Sequence, residues 1–268
     1  MTHEKNNQVQ DAAIVTGGGR GIGRAITLRL AQEMAVVVVG RRAADLESVC
    51  NECAERGGTV VAFVGDITDP ATAAGAVELV ASRGWTLRHL VCNAGIGKSG
   101  PTAEFDDKVW RHIFDVNVHG CFHMVRACLP RLLGQSGSAI SIISSLAGTQ
   151  GVAYDAAYTA SKHALVGFAR SLELEYAKQG LIVAALCPSF IESDMTERTI
   201  RGVMRRRGLS RLEAEQRVAE RCPAKRILPA DEIAETVALI GAGKLVEAVA
   251  LAAEGGYPLI NSLQTVEE

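Results

Sequence analysis

Short, wholly apolar runs alternate with longer segments of helical periodicity along almost the whole chain. Residues 12–15, 36–39, 59–64, 87–92, 139–143, 181–186 and 246–252 read as strands. Between them, helical spacing of apolar residues runs to about Glu33, to about Arg56, onward from the GDITD turn, and over 105–133, 156–178 and 231–239. A strand that is apolar on both faces must be covered on both, and strands separated by helices pair in parallel. The pattern predicts an α/β fold: a doubly wound parallel sheet of about seven strands with helices on both faces. No Pro- or Ser-rich linker interrupts it. Residues 11–260 are therefore expected to form a single domain, behind a flexible leader 1–10 and ahead of a tail 261–268. Residues 189–229 are helical in propensity yet break the alternation. Helical material added after a strand's C-terminus is where lids sit in open α/β folds, and this segment is expected to be one.

Composition narrows the function classes. The 268 residues are 48 % apolar and 22 % charged, the balance of a globular protein able to bury a large core. A formal net charge of −2 provides no basic field for nucleic acid. No apolar run nears the ~20 residues that cross a bilayer. The first residues, MTHEKNNQVQ, lack a signal-peptide core, which predicts a cytoplasmic protein. Cys50 and Cys53 make a C-x-x-C pair, but inside a helical pattern rather than at a strand–helix junction, so they read as thiols without redox or metal chemistry.

The first strand ends in Thr16-Gly17-Gly18-Gly19-Arg20-Gly21-Ile22-Gly23, which opens the first helix. Glycines there let backbone N–H groups and the helix N-terminus approach a pyrophosphate, although a tight turn without a ligand has the same composition. The second strand ends in Gly40-Arg41-Arg42, where an NAD site would usually place an acid for the ribose 2′-hydroxyl. The nearest acid, Asp45, lies inside the next helix. Guanidinium forks match a 2′-phosphate, so the pair predicts NADP(H), with NAD(H) as the alternative. Asp66 follows the third strand, where it could accept from an adenine amino group or serve a turn. Asn93-Ala94-Gly95 ends the fourth strand with small residues against which a nucleotide could lie.

Tyr158 and Lys162 stand at i,i+4, on one side of a helix. A nearby ammonium favours phenolate and makes the tyrosine a usable acid–base group. Ser145, at a strand end, could hydrogen-bond a substrate oxygen, and Asn117 could hold a water that links the lysine to solvent. Any one of these residues alone has an ordinary structural reading. Their joint occurrence behind a nucleotide-type turn does not.

In these residues, taken in order, the chain resembles the short-chain dehydrogenase/reductase family. The matching segments are TGGGRGIG, CNAG, Asn117, ISIISSLAG, YTASK and CPSFIESDMT, spread from about Ala12 to Gly256. The resemblance implies a Rossmann-type fold and a catalytic tetrad of Asn117, Ser145, Tyr158 and Lys162. It implies that Lys162 also binds the nicotinamide ribose. Cofactor contacts are expected from Gly17, Gly19, Arg20, Gly21, Ile22, Gly23, Arg41, Arg42, Asp66, Ile67, Asn93, Ala94, Gly95, Pro188 and Ile191. The chain departs from the family pattern at Ser189, where a glycine usually follows the proline, and at Cys92, where the family often has Asn.

The expected activity is interconversion of a ketone and a secondary alcohol. Resemblance to 3-oxoacyl carrier-protein and polyketide ketoreductases points to a 3-oxoacyl thioester, on CoA or a carrier protein, or a bulky ketone. A sugar, polyol, steroid or xenobiotic alcohol is the alternative, and a nucleotide-binding sensor without turnover the remote one. Residues 192–226 hold ten Lys or Arg against six Asp or Glu, an excess that could attract an anionic substrate or simply face solvent. The resemblance further implies a homotetramer or homodimer built on the long helices. His112, His119 and His123 share a helical stretch but lack an accompanying glutamate motif, so no metal is expected.

Overall fold

The computed structural model describes residues 10–135 and 137–261. Six strands are β1 (Asp11–Thr16), β2 (Ala35–Gly40), β3 (Val60–Val64), β4 (Thr86–Cys92), β5 (Ala139–Ile143) and β6 (Ile182–Leu186). They pair in parallel, and with a short seventh strand, β7 (Leu259–Ile260), give the order β3-β2-β1-β4-β5-β6-β7. The chain thus winds outward from β1 in both directions, which is the Rossmann-type arrangement. Strand pleating divides the core in two. Ala12 and Ile14 of β1 face one layer, and Ala13 and Val15 the other. β2 is four consecutive valines between Ala35 and Gly40, β-branched residues suited to a pleated surface packed on both sides.

Helices α1 (Gly21–Leu30), α2 (Ala43–Glu55) and α3 (Pro70–Ser82) connect the first four strands. Asp69 starts α3 by accepting the Ala71 N–H, with Pro70 in the first turn where its missing donor costs nothing. The expected long helix over 105–133 is instead broken. A 3-10 turn (Thr102–Glu104) precedes α4 (Asp107–Phe114), and a π-turn (Asp115–His119) joins α4 to α5 (Gly120–Leu132). α6 (Ala156–Tyr176) leads back to β6.

The last strand lies elsewhere than expected. Residues 246–252 belong to α10 (Leu245–Glu254), after α9 (Ala230–Gly241). Their sequence is alanine-rich, and alanine favours helix over strand. β7 is only Leu259–Ile260, and it runs antiparallel to β6, against the expectation of a wholly parallel sheet. Residues 189–229 carry α7 (Asp194–Arg207) and α8 (Arg211–Ala219). Ser193 caps α7 through the Thr196 N–H, and Ser210 with Glu213 forms a capping box on α8. A small cluster of Ile200, Ala214 and Val218 joins the two helices. Of the expected leader and tail, only Gln10 and Asn261 lie within the described residues. No helix among the described residues is long and apolar enough to cross a membrane.

Candidate active site

Two adjoining spaces open at the C-terminal ends of the strands. One is a groove of about 560 Å³ over the β1–α1 turn, the other a cavity of about 1410 Å³ between the β5 and β6 ends and α7–α8. Tyr158, Ser144, Ile143 and Gly97 border both.

The groove is shaped by absent side chains. Gly17 adopts φ +65°, and its N–H donates to the Val39 carbonyl at 2.7 Å, tying the turn to β2. A Cβ on Gly23 would overlap the Gly17 carbonyl oxygen, so α1 can begin directly under the turn only with glycine there. Thr16 and Asn93 fix this turn to β4. The Asn93 and Ala94 N–H groups donate to Thr16 Oγ1 at 3.0 and 3.1 Å, and Asn93 Nδ2 donates to the Thr16 carbonyl at 3.0 Å. Asn93 thereby holds the glycine turn in place from below.

Gly17, Gly19, Arg20, Gly21, Ile22, Gly23, Arg41, Arg42, Asp66, Ile67, Asn93, Ala94, Gly95, Tyr158 and Lys162, all expected at a cofactor from the sequence, border the groove. Pro188 and Ile191 instead border the cavity. Sequence reasoning missed Ser193, Asp194, Met195 and Arg198, where α7 crosses over the groove. Arg20 pairs with Asp194 across its mouth at 3.2 Å. Asp45 lies inside the second helix, as expected. This residue sits in the first turn of α2, borders the groove, and pairs with Arg42 at 2.5 Å. Arg41 lies 3.6 Å from Asp66. The other oxygen of Asp66 accepts from the Thr68 amide and hydroxyl at 3.0 and 2.9 Å, so the turn role is real as well. Burial works against ionisation of Asp66, but those hydrogen bonds and Arg41 hold its pKa below the usual value. A Cβ-free cradle at a helix N-terminus, with two guanidinium groups at the β2 end, fits a phosphorylated dinucleotide.

The four candidate catalytic residues come from three parts of the fold and lie near one another. Tyr158 and Lys162 project from α6, and Ser145 follows β5. Lys162 is buried; its Nζ donates to the Ile143 carbonyl at 2.8 Å and lies 5.6 Å from the Tyr158 ring centroid. Asn117 sits in the π-turn, fully buried. Its Oδ1 accepts the Ile96 N–H at 2.8 Å, and its Nδ2 donates to the Ile96 carbonyl and Ser161 Oγ, both at 2.9 Å. The side chain of Asn117 is thus committed to protein partners and clamps the exit of β4. A Cβ on Gly95 would stand 3.3 Å from Asn117 Oδ1 and 3.5 Å from Lys162 Nζ, so glycine lets these two groups share one small space.

Electrostatics differ from the simplest expectation. Burial pushes the Tyr158 phenol above its ordinary value, a hydrogen bond with Ser145 opposes this, and Asp155 adds to it. Burial also brings Lys162 down to about 8. The ammonium lies over the ring and is held by the Ile143 carbonyl, and its expected lowering of the phenol does not prevail here.

Other candidates resolve locally. His119 Nδ1 lies 3.0 Å from Asp115 Oδ1, and His123 Nδ1 lies 3.3 Å from the Ile67 carbonyl. Cys50 and Cys53 are free thiols on α2, with pKa values raised by burial. Among the described residues, positive φ outside glycine occurs at Tyr154 and Lys225, so Ser189 fits its backbone without strain.

The model of the short chain dehydrogenase family matches residues 11–203. A 3-oxoacyl-(acyl-carrier-protein) reductase of Staphylococcus aureus is 32 % identical over 236 residues, 87 % of this chain and 91 % of the relative. A crystal structure of actinorhodin polyketide ketoreductase with NADPH superposes with a TM-score of 0.80 at 33 % identity, covering 88 % of this chain and 92 % of that one. L-sorbose reductase of Gluconobacter frateurii, complexed with NADPH and L-sorbose, reaches a TM-score of 0.82 at 26 % identity, over 89 % and 92 % of the two chains.

Proposed function

Because the chain belongs to the short-chain dehydrogenase family, we propose that it is an NADP(H)-dependent reductase of a ketone carried on a bulky substrate, a 3-oxoacyl thioester in particular. The observation that carries this reading is Tyr158 bordering both spaces, with Ser145 on the cavity side, Lys162 on the groove side and Asn117 close to that lysine behind the wall. The relatives named above supply the substrate class and NADPH.

When bound, the cofactor supplies the hydride. The residues of this chain handle the oxygen and its proton. Ser145 orients the substrate carbonyl by hydrogen bond. Tyr158 gives its proton to that oxygen as negative charge develops on it. The Tyr158 phenol carries its proton at neutral pH, and the alkoxide forming on the substrate is the stronger base that takes it. The Lys162 ammonium offsets the negative charge left on the phenolate once the proton has gone to the substrate oxygen. Asn117 fixes the β4 exit so that Gly95 leaves room for that lysine. Arg41 and Arg42 would meet a 2′-phosphate, exchanging their carboxylate partners for it. The α7–α8 segment serves as the lid. Partly exposed Trp110 and Phe122 on α4 and α5 suit a contact between copies in a homodimer or homotetramer.

The test is Tyr158→Phe, assayed by NADPH oxidation with a 3-oxoacyl thioester. Loss of one general acid is expected to lower kcat by roughly 10²–10⁴, while NADPH binding measured by fluorescence stays within about twofold. Turnover that survives the change sinks the assigned mechanism.

A further inference from the structure

The ten basic residues of 192–226 are not equivalent. Arg201 and Arg211 pair with Glu197, Arg211 also with Glu215, and Arg226 with Glu232. Lys225 Nζ donates to the Glu220 carbonyl. Arg198, Arg206, Arg207, Arg217 and Arg221 have no carboxylate partner among the described residues, and all five border the cavity. Arg205, next to Arg206 on the same helix, does not border it. Against them the cavity wall sets only Asp155 and Glu220, while Lys98 adds a further cation.

Cations gathered without partners repel each other, so this rim is at its most favourable only when an anion enters. One of the arginines is also held in place: the Arg221 guanidinium lies 5.3 Å from the Phe190 ring centroid. That of Arg206 folds back over Gly202, 3.4 Å from where a Cβ would stand. A guanidinium fork matches phosphate oxygens two at a time. The cavity, at about 1410 Å³, exceeds the ~300–1,000 Å³ usual for compact ligands. Tyr158 lies in its wall with the arginines. A ligand that fills it is large, and brings both a reducible carbonyl and an anion. A neutral sugar or steroid leaves the charge unanswered.

We propose that the α7–α8 rim of the cavity is a phosphate site that holds the phosphate of a pantetheine-type handle while the acyl carbonyl reaches Tyr158. The inference rests on the reductase reading and deepens it. CoA and a carrier protein present the same pantetheine phosphate, and the rim recognises what they share.

One 3-oxoacyl group is offered to the enzyme with NADPH on three handles: CoA, a phosphopantetheinylated carrier protein, and N-acetylcysteamine, which has no phosphate. In Arg206→Gln/Arg217→Gln, KM for the CoA and carrier-protein substrates is expected to rise roughly 30-fold with kcat nearly constant, since two charge-assisted hydrogen bonds are lost at a solvated rim. KM for the N-acetylcysteamine substrate should not move, and Arg205→Gln should leave all three unchanged. A rise for CoA alone would assign the rim to the other phosphates of CoA and overturn the pantetheine assignment. Equal changes on all three handles, or none, would overturn the site altogether. Binding of 4′-phosphopantetheine to the NADPH-saturated enzyme, read by calorimetry, separates this from the reaction. A wild-type enzyme that binds it through these arginines but reduces none of the thioesters refutes the reductase reading and leaves the phosphate site standing. A wild-type enzyme that does not bind it refutes the site.

Discussion

The cofactor groove and the rim of the cavity are built by opposite means. Around the groove, main chain is gripped at close quarters: the Gly17 N–H on Val39, the Asn93 side-chain amide on the Thr16 and Gly17 carbonyls, and α1 seated so close that only hydrogen fits at Gly23. The α7–α8 rim rests on three buried apolar residues and a display of long side chains. The first construction fixes positions to fractions of an ångström, because backbone and packed strands cannot yield. The second can adjust, because guanidinium groups on flexible stems move without disturbing the fold. A shared cofactor and a variable substrate call for this division.

The comparison can be broken in three places. The largest expected effect lies in the sheet under the groove. His89 on β4 is fully buried, with Nε2 at 2.9 Å from Ser141 Oγ, and burial pushes its pKa down to about 4. An unfolded histidine takes up a proton near pH 6.5, so folding excludes that proton. The stability due to the neutral ring is complete above about pH 6.5 and declines as pH falls towards about 4, a loss of about 3 kcal/mol. Urea unfolding at pH 7 and pH 4 should show this loss, and His89→Gln should remove most of it. An equal acid loss in the variant would place the sensitivity elsewhere.

Next come matched glycine substitutions. Gly23→Ala forces a methyl into the Gly17 carbonyl, and overpacking of this kind costs about 1–3 kcal/mol. NADPH affinity should fall with it, by roughly 10-fold or more. Gly202→Ala meets only the mobile end of Arg206 and gains helix propensity, so stability should stay level or rise by a few tenths of a kcal/mol. Equal penalties at the two sites would erase the distinction between them.

The smallest effect is sought at the β2 end, where main chain gives way to side chains within the groove itself. Arg41→Ala should weaken NADPH by about 10-fold and NADH by much less, measured as dissociation constants. The margin is modest because Asp66 and Asp45 already share the guanidinium charge there. Equal losses for both cofactors would remove the 2′-phosphate reading.

What the sequence discloses follows the same line. Strands that are apolar on both faces announce a covered parallel sheet, and six of them stand where the pattern puts them. Glycines required by backbone contact are visible as a motif, as are Tyr158 and Lys162 at helical spacing. The seventh strand is hidden, because two residues, Leu259 and Ile260, are too few to show a period. The apolar run at 246–252 satisfies a helix equally well, and periodicity cannot separate the two. Asp194 and Arg198 reach the groove only because α7 folds back across the glycine turn, a long-range event without a local signal. The sorting of arginines into paired and unpaired sets is hidden for the same reason: their charges are written in the sequence, their neighbours are not.

The π-turn at Asp115–His119 has a consequence for the length of the chain as well as its composition. Such a turn holds one residue more than regular helix would. Remove one residue there and α4 and α5 fuse into a continuous α-helix, with everything on one side of the join rotated by about 100°. Asn117 would swing off Ile96 although no residue of the site had been substituted. At this point the chain encodes its active site by counting, and a deletion of one would be read as a change of face.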